Sequence, residues 1–192
     1  ESWKKGLTGY PMVDACMRSL IKTGWLNFRM RAMLMSFASY HLWLPWQITS
    51  KYLASLFTDY EPGIHYAQSQ MQSGTTGINA IRIYNPIKQG IDHDPDGIFI
   101  RKWLPELRKI PKTNIHKPWE SIEYIKDYIP PIVDEIEARK SAASKIYNLR
   151  KDKLHKIESK KIYLKHGSRK PGIKKISKQN KKNKNKIQKS LF

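Results

Sequence analysis

The sequence predicts an all-α fold, and three observations point to it. Apolar residues recur at helical spacing in several segments, and those segments are bounded by Gly or Pro. No run of alternating polar and apolar residues is long enough to form a convincing strand. Six Trp, ten Tyr and five Phe, among 40% hydrophobic residues, supply the side chains of a core. We therefore expect one helical domain of ordinary size, followed by an extension.

Two helices are predicted in the N-terminal part of the chain. The first begins at Pro11, which suits the first turn of a helix, and ends at Gly24. Its apolar residues recur at helical spacing at Met12, Val13, Cys16, Met17, Leu20 and Ile21. The second helix spans residues 27–41 and carries apolar side chains on most sides, which indicates that it is buried.

A third helix is predicted over residues 45–57, where Pro-Trp opens the segment. Residues 61–63, with the sequence Glu-Pro-Gly, are interpreted as a turn. Residues 74–77, with the sequence Gly-Thr-Thr-Gly, are interpreted as a loop.

Turns and short helices are predicted in the rest of the folded part. Residues 94–97, with the sequence Asp-Pro-Asp-Gly, are interpreted as a turn before a short helix that ends at Trp103. Another helix is expected over residues 118–128. The pair Pro130-Pro131 then separates it from a last helix that begins near Ile132.

The net charge of +20 is concentrated near the C-terminus. Residues 148–192 hold 17 Lys or Arg and two acidic residues, whereas residues 1–147 hold 19 basic and 14 acidic residues. We expect a folded domain over residues 1–147 and a Lys-rich extension over residues 148–192. The extension is expected to be largely disordered from about residue 167, because Lys, Asn, Gln and Ser dominate there without a periodic apolar face.

Composition also disfavours several classes of protein. The longest apolar stretch, residues 32–46, is interrupted by polar residues and is shorter than the ~20 residues that cross a bilayer, so we expect no membrane partner. Cys16 is the single cysteine, which excludes an internal disulfide or a multi-cysteine metal site and fits a reducing, cytoplasmic compartment. Because the chain begins at Glu1 without a leader, we interpret it as a fragment.

A long and specific set of motifs then points to a family. Residues 3–18 read Trp-Lys-Lys-Gly-Leu-Thr-Gly-Tyr-Pro-Met-Val-Asp-Ala-Cys-Met-Arg, and residues 23–25 read Thr-Gly-Trp. Further matching segments follow in the family's order: Ser36-Phe37, Trp46, Asp59, Arg82-Ile83-Tyr84-Asn85-Pro86, residues 94–97 and 100–107, His116-Lys117-Pro118-Trp119, residues 130–134 and Ala138-Arg139. Over residues 1–147 the chain resembles the C-terminal FAD-binding part of the DNA photolyase and cryptochrome family.

The resemblance implies an all-helical domain folded around a bent FAD. In a photolyase, excited reduced FAD passes an electron to a pyrimidine dimer in DNA and recovers it after the ring splits. The alternative is a cryptochrome-like photoreceptor, in which the same flavin signals to a partner without repair. A third interpretation is a DNA-binding module that has lost its flavin.

Parts of a whole family member lie outside this sequence. The family has an N-terminal domain that binds an antenna pigment, and earlier helices that contact the FAD phosphates and the lesion. We therefore expect that this fragment neither acts nor binds FAD well by itself. We also expect the protein to be a monomer.

Five residues are assigned to the flavin by the family pattern. Arg31 and Asp59 would form a buried ion pair beside the isoalloxazine ring, and Asp59, Tyr60 and Glu61 would line it. The position that faces flavin N5 falls on His65, where photolyases usually carry Asn. We hypothesise that His65 tunes the stability of the flavin semiquinone. The alternatives are a solvated Arg31 with a helix-end Asp59, and an ordinary surface His65.

The electron-transfer route departs from the family pattern. Trp46 stands at the middle position of the usual tryptophan chain, unless it serves only in core packing. The flavin-proximal position aligns with Ser69, which excited flavin cannot oxidise. Trp25 is a further expected cofactor contact. The usual route is broken unless Trp25, Tyr66 or another aromatic residue substitutes in it.

DNA contacts fall on Phe28, Arg29, Met71 and Gln89 by the same pattern. Phe28 replaces an Asn, and Met71 replaces a Trp that stacks on the lesion. Met recovers only part of the ~1–3 kcal/mol that stacking of a base on an aromatic ring supplies. The lysines of residues 174–189 would neutralise DNA phosphates without reading bases, and a merely solubilising tail is the alternative.

Overall fold

The structure, a computed structural model, describes residues 1–76, 80–121 and 128–166. All regular elements in these ranges are helical, which confirms the predicted all-α fold. The chain divides into two compact units, Glu1–Leu149 and a second that begins at Arg150. The Lys-rich segment after residue 166, with its expected disorder and its lysines at 174–189, lies outside the described residues.

The described residues form nine α-helices, one π-helical turn and two 3₁₀ turns. In chain order they are α1 (Ser2–Lys5), α2 (Pro11–Thr23), α3 (Phe28–Ser36), a π-helical turn (Phe37–His41), α4 (Trp46–Ala54), α5 (Pro62–Gln72), α6 (Pro86–His93), α7 (Ile98–Trp103), two 3₁₀ turns (Pro105–Leu107 and Pro118–Glu120), α8 (Glu135–Lys151) and α9 (Lys153–His166). None of them, within the described ranges, is both long and apolar enough to cross a membrane.

The core of the first unit is built around α2 and α3. Cys16, Met17 and Leu20 of α2 and Met33 and Leu34 of α3 are fully removed from solvent. Full burial of a Leu or Met side chain stabilises a fold by about 1.5–3 kcal/mol. Both helices were predicted from the sequence, and the burial of their apolar faces confirms that part of the prediction.

The ends of α2 follow the sequence signals. Pro11 occupies the first turn, where its missing N–H costs no hydrogen bond. Gly24 closes the helix in the left-handed region, with φ of 71°. This conformation suits glycine, which lacks the Cβ that would clash there. Both predicted bounds of α2 are confirmed.

The predicted helix over residues 27–41 is only partly regular. Asn27 caps it by accepting a hydrogen bond from the N–H of Met30 at 3.0 Å. The α-helical pattern ends at Ser36, and Phe37–His41 continues as a π-helical turn. Such a turn widens the backbone spacing locally, and hydrophobic periodicity carries no signal for it.

The predicted turn at residues 61–63 is wrong, because these residues start α5. The Glu61 carboxylate accepts a hydrogen bond from the N–H of Ile64 at 2.6 Å and caps the helix. Pro62 takes the first helical position, as proline often does. The same three residue types that favour a turn therefore form a helix N-terminus here.

Other element bounds differ from the prediction by a few residues. The third helix ends at Ala54 instead of residue 57, and the last helix of the first unit starts at Glu135 instead of Ile132. At Pro118 the structure has a single 3₁₀ turn, and most of the expected helix falls on residues 122–127, outside the described part. The short helix through Trp103 is confirmed.

Helix α6 was not predicted, although its start carries a signal. The side chain of Asn85 accepts a hydrogen bond from the N–H of Lys88 at 2.8 Å, and Pro86 follows in the first helical position. The capping side chain stabilises a helix that has only eight residues.

A buried carboxylate ties distant segments to the start of α2. Oδ1 of Asp14 accepts hydrogen bonds from the N–H and the hydroxyl of Thr8, at 2.8 and 2.6 Å. Its Oδ2 accepts from the N–H of Gly9 at 3.0 Å and from the Tyr128 hydroxyl at 2.7 Å. Gly9 has φ of +79°, and a Cβ there would overlap the carbonyl of Pro130. The network therefore requires a close approach that only glycine permits at this position.

Candidate functional site

A cavity of about 170 Å³ opens between α3, α4 and α5. The side chains that line it come from these helices and from the link between α4 and α5: Phe28, Arg31, Ala32, Met35, Leu53, Phe57, Asp59, Tyr60, Glu61, Ile64, His65, Gln68, Ser69 and Gln72. Most of the walls are apolar or aromatic, and the few polar groups are placed at separate points. Such a surface is typical of a cofactor site.

An ion pair stands in one wall of this pocket. Nη2 of Arg31 lies 2.8 Å from Oδ2 of Asp59, and the Arg31 Nε donates to the carbonyl of Leu26. The guanidinium also lies 4.1 Å from the centre of the Phe57 ring. The hydrogen bond from Arg31 lowers the pKa of the Asp59 carboxyl below its usual value. The guanidinium is therefore held by three neighbours, and the carboxylate is kept ionised.

The pair is less buried than the sequence led us to expect. The Asp59 side chain keeps 49% of its surface exposed, and that of Arg31 keeps 25%. The reason is that Asp59 lies in the link between α4 and α5 and not on the face of a packed helix. In this chain the pair belongs to the class of half-exposed ion pairs, whose contribution to stability is small.

His65 is held in place by a serine of the neighbouring helix. Its Nε2 lies 2.8 Å from the carbonyl oxygen of Ser50 and 3.0 Å from the Ser50 hydroxyl. The hydroxyl of Ser50 in turn donates to the hydroxyl of Ser69 at 2.8 Å. Edge-on contacts with the rings of Phe57 and Tyr66, with centroids 5.8 and 5.3 Å away, restrict the imidazole further.

One polar atom of the pocket lacks a partner. Oε1 of Gln68 is buried and accepts no hydrogen bond from the described residues. A buried acceptor without a donor costs about 1–3 kcal/mol, so a ligand N–H at this point would be favourable. FAD fits this pocket, because an isoalloxazine ring offers apolar faces to the aromatic walls and N–H donors to Gln68.

The other residues assigned to the flavin lie in different places. Tyr60 and Glu61 line the pocket, although the Glu61 carboxylate is already committed to capping α5. Trp25 is 57% exposed and lies outside the lining. The geometry thus brings together Arg31, Asp59, Tyr60, Glu61 and His65, and leaves Trp25 as a prediction.

The residues assigned to DNA and to electron transfer are divided between the pocket and other surfaces. Phe28 lines the pocket mouth and is 58% exposed, and Arg29 beside it is also exposed. Met71 is half-buried on α5 and does not line the pocket. Trp46 packs, partly buried, against the core. These four roles stay predictions.

Gln89, the fourth residue assigned to DNA, is largely buried on α6. Its side chain is 9% exposed, on α6, and its Oε1 has no hydrogen-bond partner among the described residues. Gln89 lies outside the lining of the pocket. Its assignment to DNA also stays a prediction.

The sequence analysis missed seven lining residues, which are Ala32, Met35, Leu53, Phe57, Ile64, Gln68 and Gln72. Ile64, Gln68 and Gln72 recur at helical spacing on α5, the pattern of one helix face. That signal was present in the sequence. It was lost because residues 61–63 were interpreted as a turn and no helix was expected after them.

Comparisons with known proteins agree with this geometry. Residues 1–148 match the family described as the FAD binding domain of DNA photolyase. The chain is 41% identical to the deoxyribodipyrimidine photo-lyase of Salmonella typhimurium over 144 residues, which are 72% of this chain and 30% of the relative. It is 38% identical to cryptochrome-2 of Arabidopsis thaliana over 161 residues, which are 78% of this chain and 26% of the relative.

A solved structure leads to the same family. A bacterial class III photolyase from Agrobacterium tumefaciens superposes with a TM-score of 0.73 and 34% identity, over 79% of this chain and 34% of the other. The chain therefore spans about a third of the length of its relatives. It belongs to the photolyase and cryptochrome family of flavoproteins, as part of the FAD-binding domain.

Proposed function

We propose that this chain forms one wall of the flavin site of a light-driven DNA photolyase that splits pyrimidine dimers. The observation that carries the proposal is the pocket between α3, α4 and α5, which holds the Arg31–Asp59 pair beside an unpartnered Gln68 acceptor. FAD, when bound, supplies light absorption and the transferable electron. The chain itself binds and orients the ring and controls the protons around it.

Arg31 and Asp59 would set the charge beside the ring. The guanidinium is fixed by the Leu26 carbonyl, the Phe57 ring and Asp59, so it offers a positive charge without reorganising. Asp59 keeps that charge partly compensated. A bound ring would cover the pair, and a covered pair requires both of its members, because an unpaired buried charge costs roughly 3–5 kcal/mol.

Two exposed residues at the pocket mouth support the proposed contact with DNA. Phe28 presents an exposed aromatic face at the mouth, and Arg29 places a positive charge next to it. A flipped-out base can stack on the ring while the guanidinium attracts a phosphate. Contact with DNA through these two residues would bring a lesion to the side of the pocket that solvent reaches.

The basic tail would add affinity that does not depend on DNA sequence. Lys and Arg of residues 148–192 exceed acidic residues by 15. Such a charge excess neutralises phosphates and releases counterions, so its contribution falls steeply with salt.

A photoreceptor without repair activity is the second candidate, and two positions favour it. Ser69 lines the pocket where the family has an oxidisable aromatic residue, and Met71 stands where a ring would stack on the lesion. Both changes weaken functions that repair enzymes need. A relative among cryptochromes, at 38% identity, is consistent with this candidate.

Repair can be tested directly on the protein that carries this chain. The purified protein, with FAD reduced under anaerobic conditions, is mixed with dimer-containing DNA and exposed to blue light or kept dark. We expect dimers to disappear only in the light. Bound FAD that photoreduces while dimers persist would favour the photoreceptor.

Matched variants link repair to the pocket mouth. Compared at equal FAD occupancy, Phe28→Ala should bind dimer-containing DNA roughly tenfold more weakly than wild type, the scale of one stacking interaction. Lys109→Ala, at an exposed position outside the pocket lining, is the control and should bind damaged DNA as wild type does. Equal binding by both variants would contradict the assignment of Phe28.

A further inference from the structure

We infer that Ser50 fixes the tautomer of His65, so that His65 Nδ1 acts as a hydrogen-bond acceptor for an N–H of the bound flavin ring. This inference rests on the proposed function, because it assumes that the flavin occupies the pocket. It assigns a positioning role to Ser50, a residue of α4 that the family pattern did not single out.

The placement of the hydrogen follows from the partner of Nε2. A carbonyl oxygen can only accept, and the carbonyl oxygen of Ser50 lies 2.8 Å from His65 Nε2. Nε2 must therefore carry the hydrogen. A neutral imidazole has one N–H, so Nδ1 of the neutral ring carries the lone pair.

The hydrogen bonds of the Ser50 hydroxyl also indicate that His65 Nε2 is the donor. It donates its single hydrogen to the Ser69 hydroxyl at 2.8 Å, so towards His65 Nε2, at 3.0 Å, it can only accept. Hydrogen bonds then run in one direction, from His65 to Ser50 to Ser69. The opposite tautomer would leave the Ser50 carbonyl facing an unprotonated nitrogen.

Burial and packing hold this arrangement. Ser50 is fully buried and Ser69 is 5% exposed, so water does not compete for their hydroxyls. The rings of Phe57, Tyr60 and Tyr66 stand edge-on to the imidazole, which hinders a ring flip. The hydrogen bond that one imidazole nitrogen makes to the protein commonly decides which of the two nitrogens is protonated.

The consequence is a pocket that offers acceptors to the ring. Nδ1 of His65 has no hydrogen-bond partner among the described residues, and Oε1 of Gln68 has none either. The fully reduced isoalloxazine ring, in its anionic form, carries one more N–H than the oxidised ring. An acceptor at His65 therefore favours the reduced ring, which is the form that donates an electron in repair.

The first test reads the tautomer itself. Nitrogen-15 NMR of the protein that carries this chain, at a pH where the His65 resonances show a neutral ring, should find Nε2 protonated and Nδ1 unprotonated. A protonated Nδ1 would overturn the inference. This reading does not depend on repair activity.

The second test reads the redox equilibrium of bound FAD. His65→Phe removes the acceptor and keeps an aromatic ring, and we expect the ratio of reduced to oxidised flavin at a fixed potential to fall about fivefold, the value of one hydrogen bond. Ser50→Ala removes only the hydroxyl and keeps the backbone carbonyl that accepts from Nε2, so it should shift the ratio in the same direction by a smaller factor. Ser55→Ala, whose hydroxyl bonds only to the Tyr52 carbonyl outside the pocket lining, should leave the ratio unchanged.

The outcomes separate the two proposals. Wild-type protein that binds no FAD contradicts the proposed function and this inference with it. Bound FAD together with an unchanged ratio in His65→Phe contradicts the inference alone. A shift in Ser55→Ala as large as that in Ser50→Ala would also overturn the role of Ser50.

Discussion

Arg31 and Asp59, 28 residues apart, meet in an ion pair of 2.8 Å that joins α3 to the link before α5. The pair spans the pocket wall, and the guanidinium is also held by the Leu26 carbonyl and the Phe57 ring. Its geometry is therefore set before any ligand binds. Preorganised charge of this kind is most effective in a site that a cofactor covers.

Removing the cation should release the carboxylate. In Arg31→Gln the pKa of Asp59 should rise towards its ordinary value, because the hydrogen bond from the guanidinium that lowers it is removed. NMR titration of the Asp59 carboxyl measures this change. Arg108→Gln, at an exposed site outside the lining, should leave the pKa unchanged. An unaltered Asp59 pKa in Arg31→Gln would contradict the ion pair.

Asp14 should be among the residues most important for stability. Asp14→Asn keeps the size of the side chain but turns one acceptor into a donor, facing the N–H of Gly9 and the Tyr128 hydroxyl. We expect the free energy of unfolding to fall by about 3 kcal/mol, measured by denaturant titration. Asp92→Asn, which breaks an exposed pair with Lys88, should cost no more than about 0.5 kcal/mol. An equal loss of unfolding free energy in the two variants would contradict the stabilising role of the Asp14 hydrogen bonds.

Acid should weaken the fold through His41. Burial lowers the pKa of His41 to about 4, and the charge of Arg139 acts in the same direction. The Glu135 carboxylate, 3.7 Å from Nε2, lies beyond hydrogen-bond range and is already bonded to Arg139 at 2.9 Å. Burial therefore outweighs the attraction of this carboxylate in setting the pKa of His41.

The sign of the effect follows from proton uptake. Between pH 6.5 and about 4 the unfolded chain protonates this histidine and the folded chain does not, so the free energy of unfolding falls as pH falls. The loss can reach about 3 kcal/mol by pH 4 and does not grow below it. His41→Phe should lose this part of the pH dependence, and His93→Phe, at an exposed site, should retain it. If the free energy of unfolding changed with pH in the same way in His41→Phe and in wild type, His41 would not be the source of this pH dependence.

The basic tail should dominate the salt dependence of non-specific DNA binding. Deletion of residues 167–192 removes ten Lys or Arg and no acidic residue. The slope of log K against log salt for undamaged duplex DNA should become shallower by ~0.9 for each phosphate that the shortened chain no longer neutralises. An unchanged slope would instead favour a solubilising tail.

Much of the fold could be predicted because the signals are local. Pro11 and Gly24 mark the bounds of α2 through their own backbone preferences, and the structure confirms both. The π-helical turn Phe37–His41 depends on how the helix packs, so no local pattern reveals it. The start of α5 was missed because Glu-Pro-Gly serves equally well in a turn and at a helix N-terminus.

Some residues of the candidate site could likewise be predicted from the sequence, and others could not. The family pattern placed Arg31, Asp59 and His65 near one ring, and the structure brings them to one pocket. Ser50 could not be predicted, because its importance depends on the pairing of α4 with α5. Spacing along one helix says nothing about which side chains meet across two.

The central claim is that the pocket between α3, α4 and α5 holds the flavin, and blocking the pocket tests it most directly. Ile64 lines the pocket and is 65% exposed, so Ile64→Trp can fill the space without disturbing the core, while Ile48→Trp, at a 61% exposed position outside the lining, is the matched control. Both substitutions are made in the protein that carries this chain, and the measurement is the FAD content of each purified variant, from its visible absorbance per mole of protein. The account predicts wild-type FAD content in Ile48→Trp and a large loss in Ile64→Trp. Equal FAD content in the two variants would contradict it.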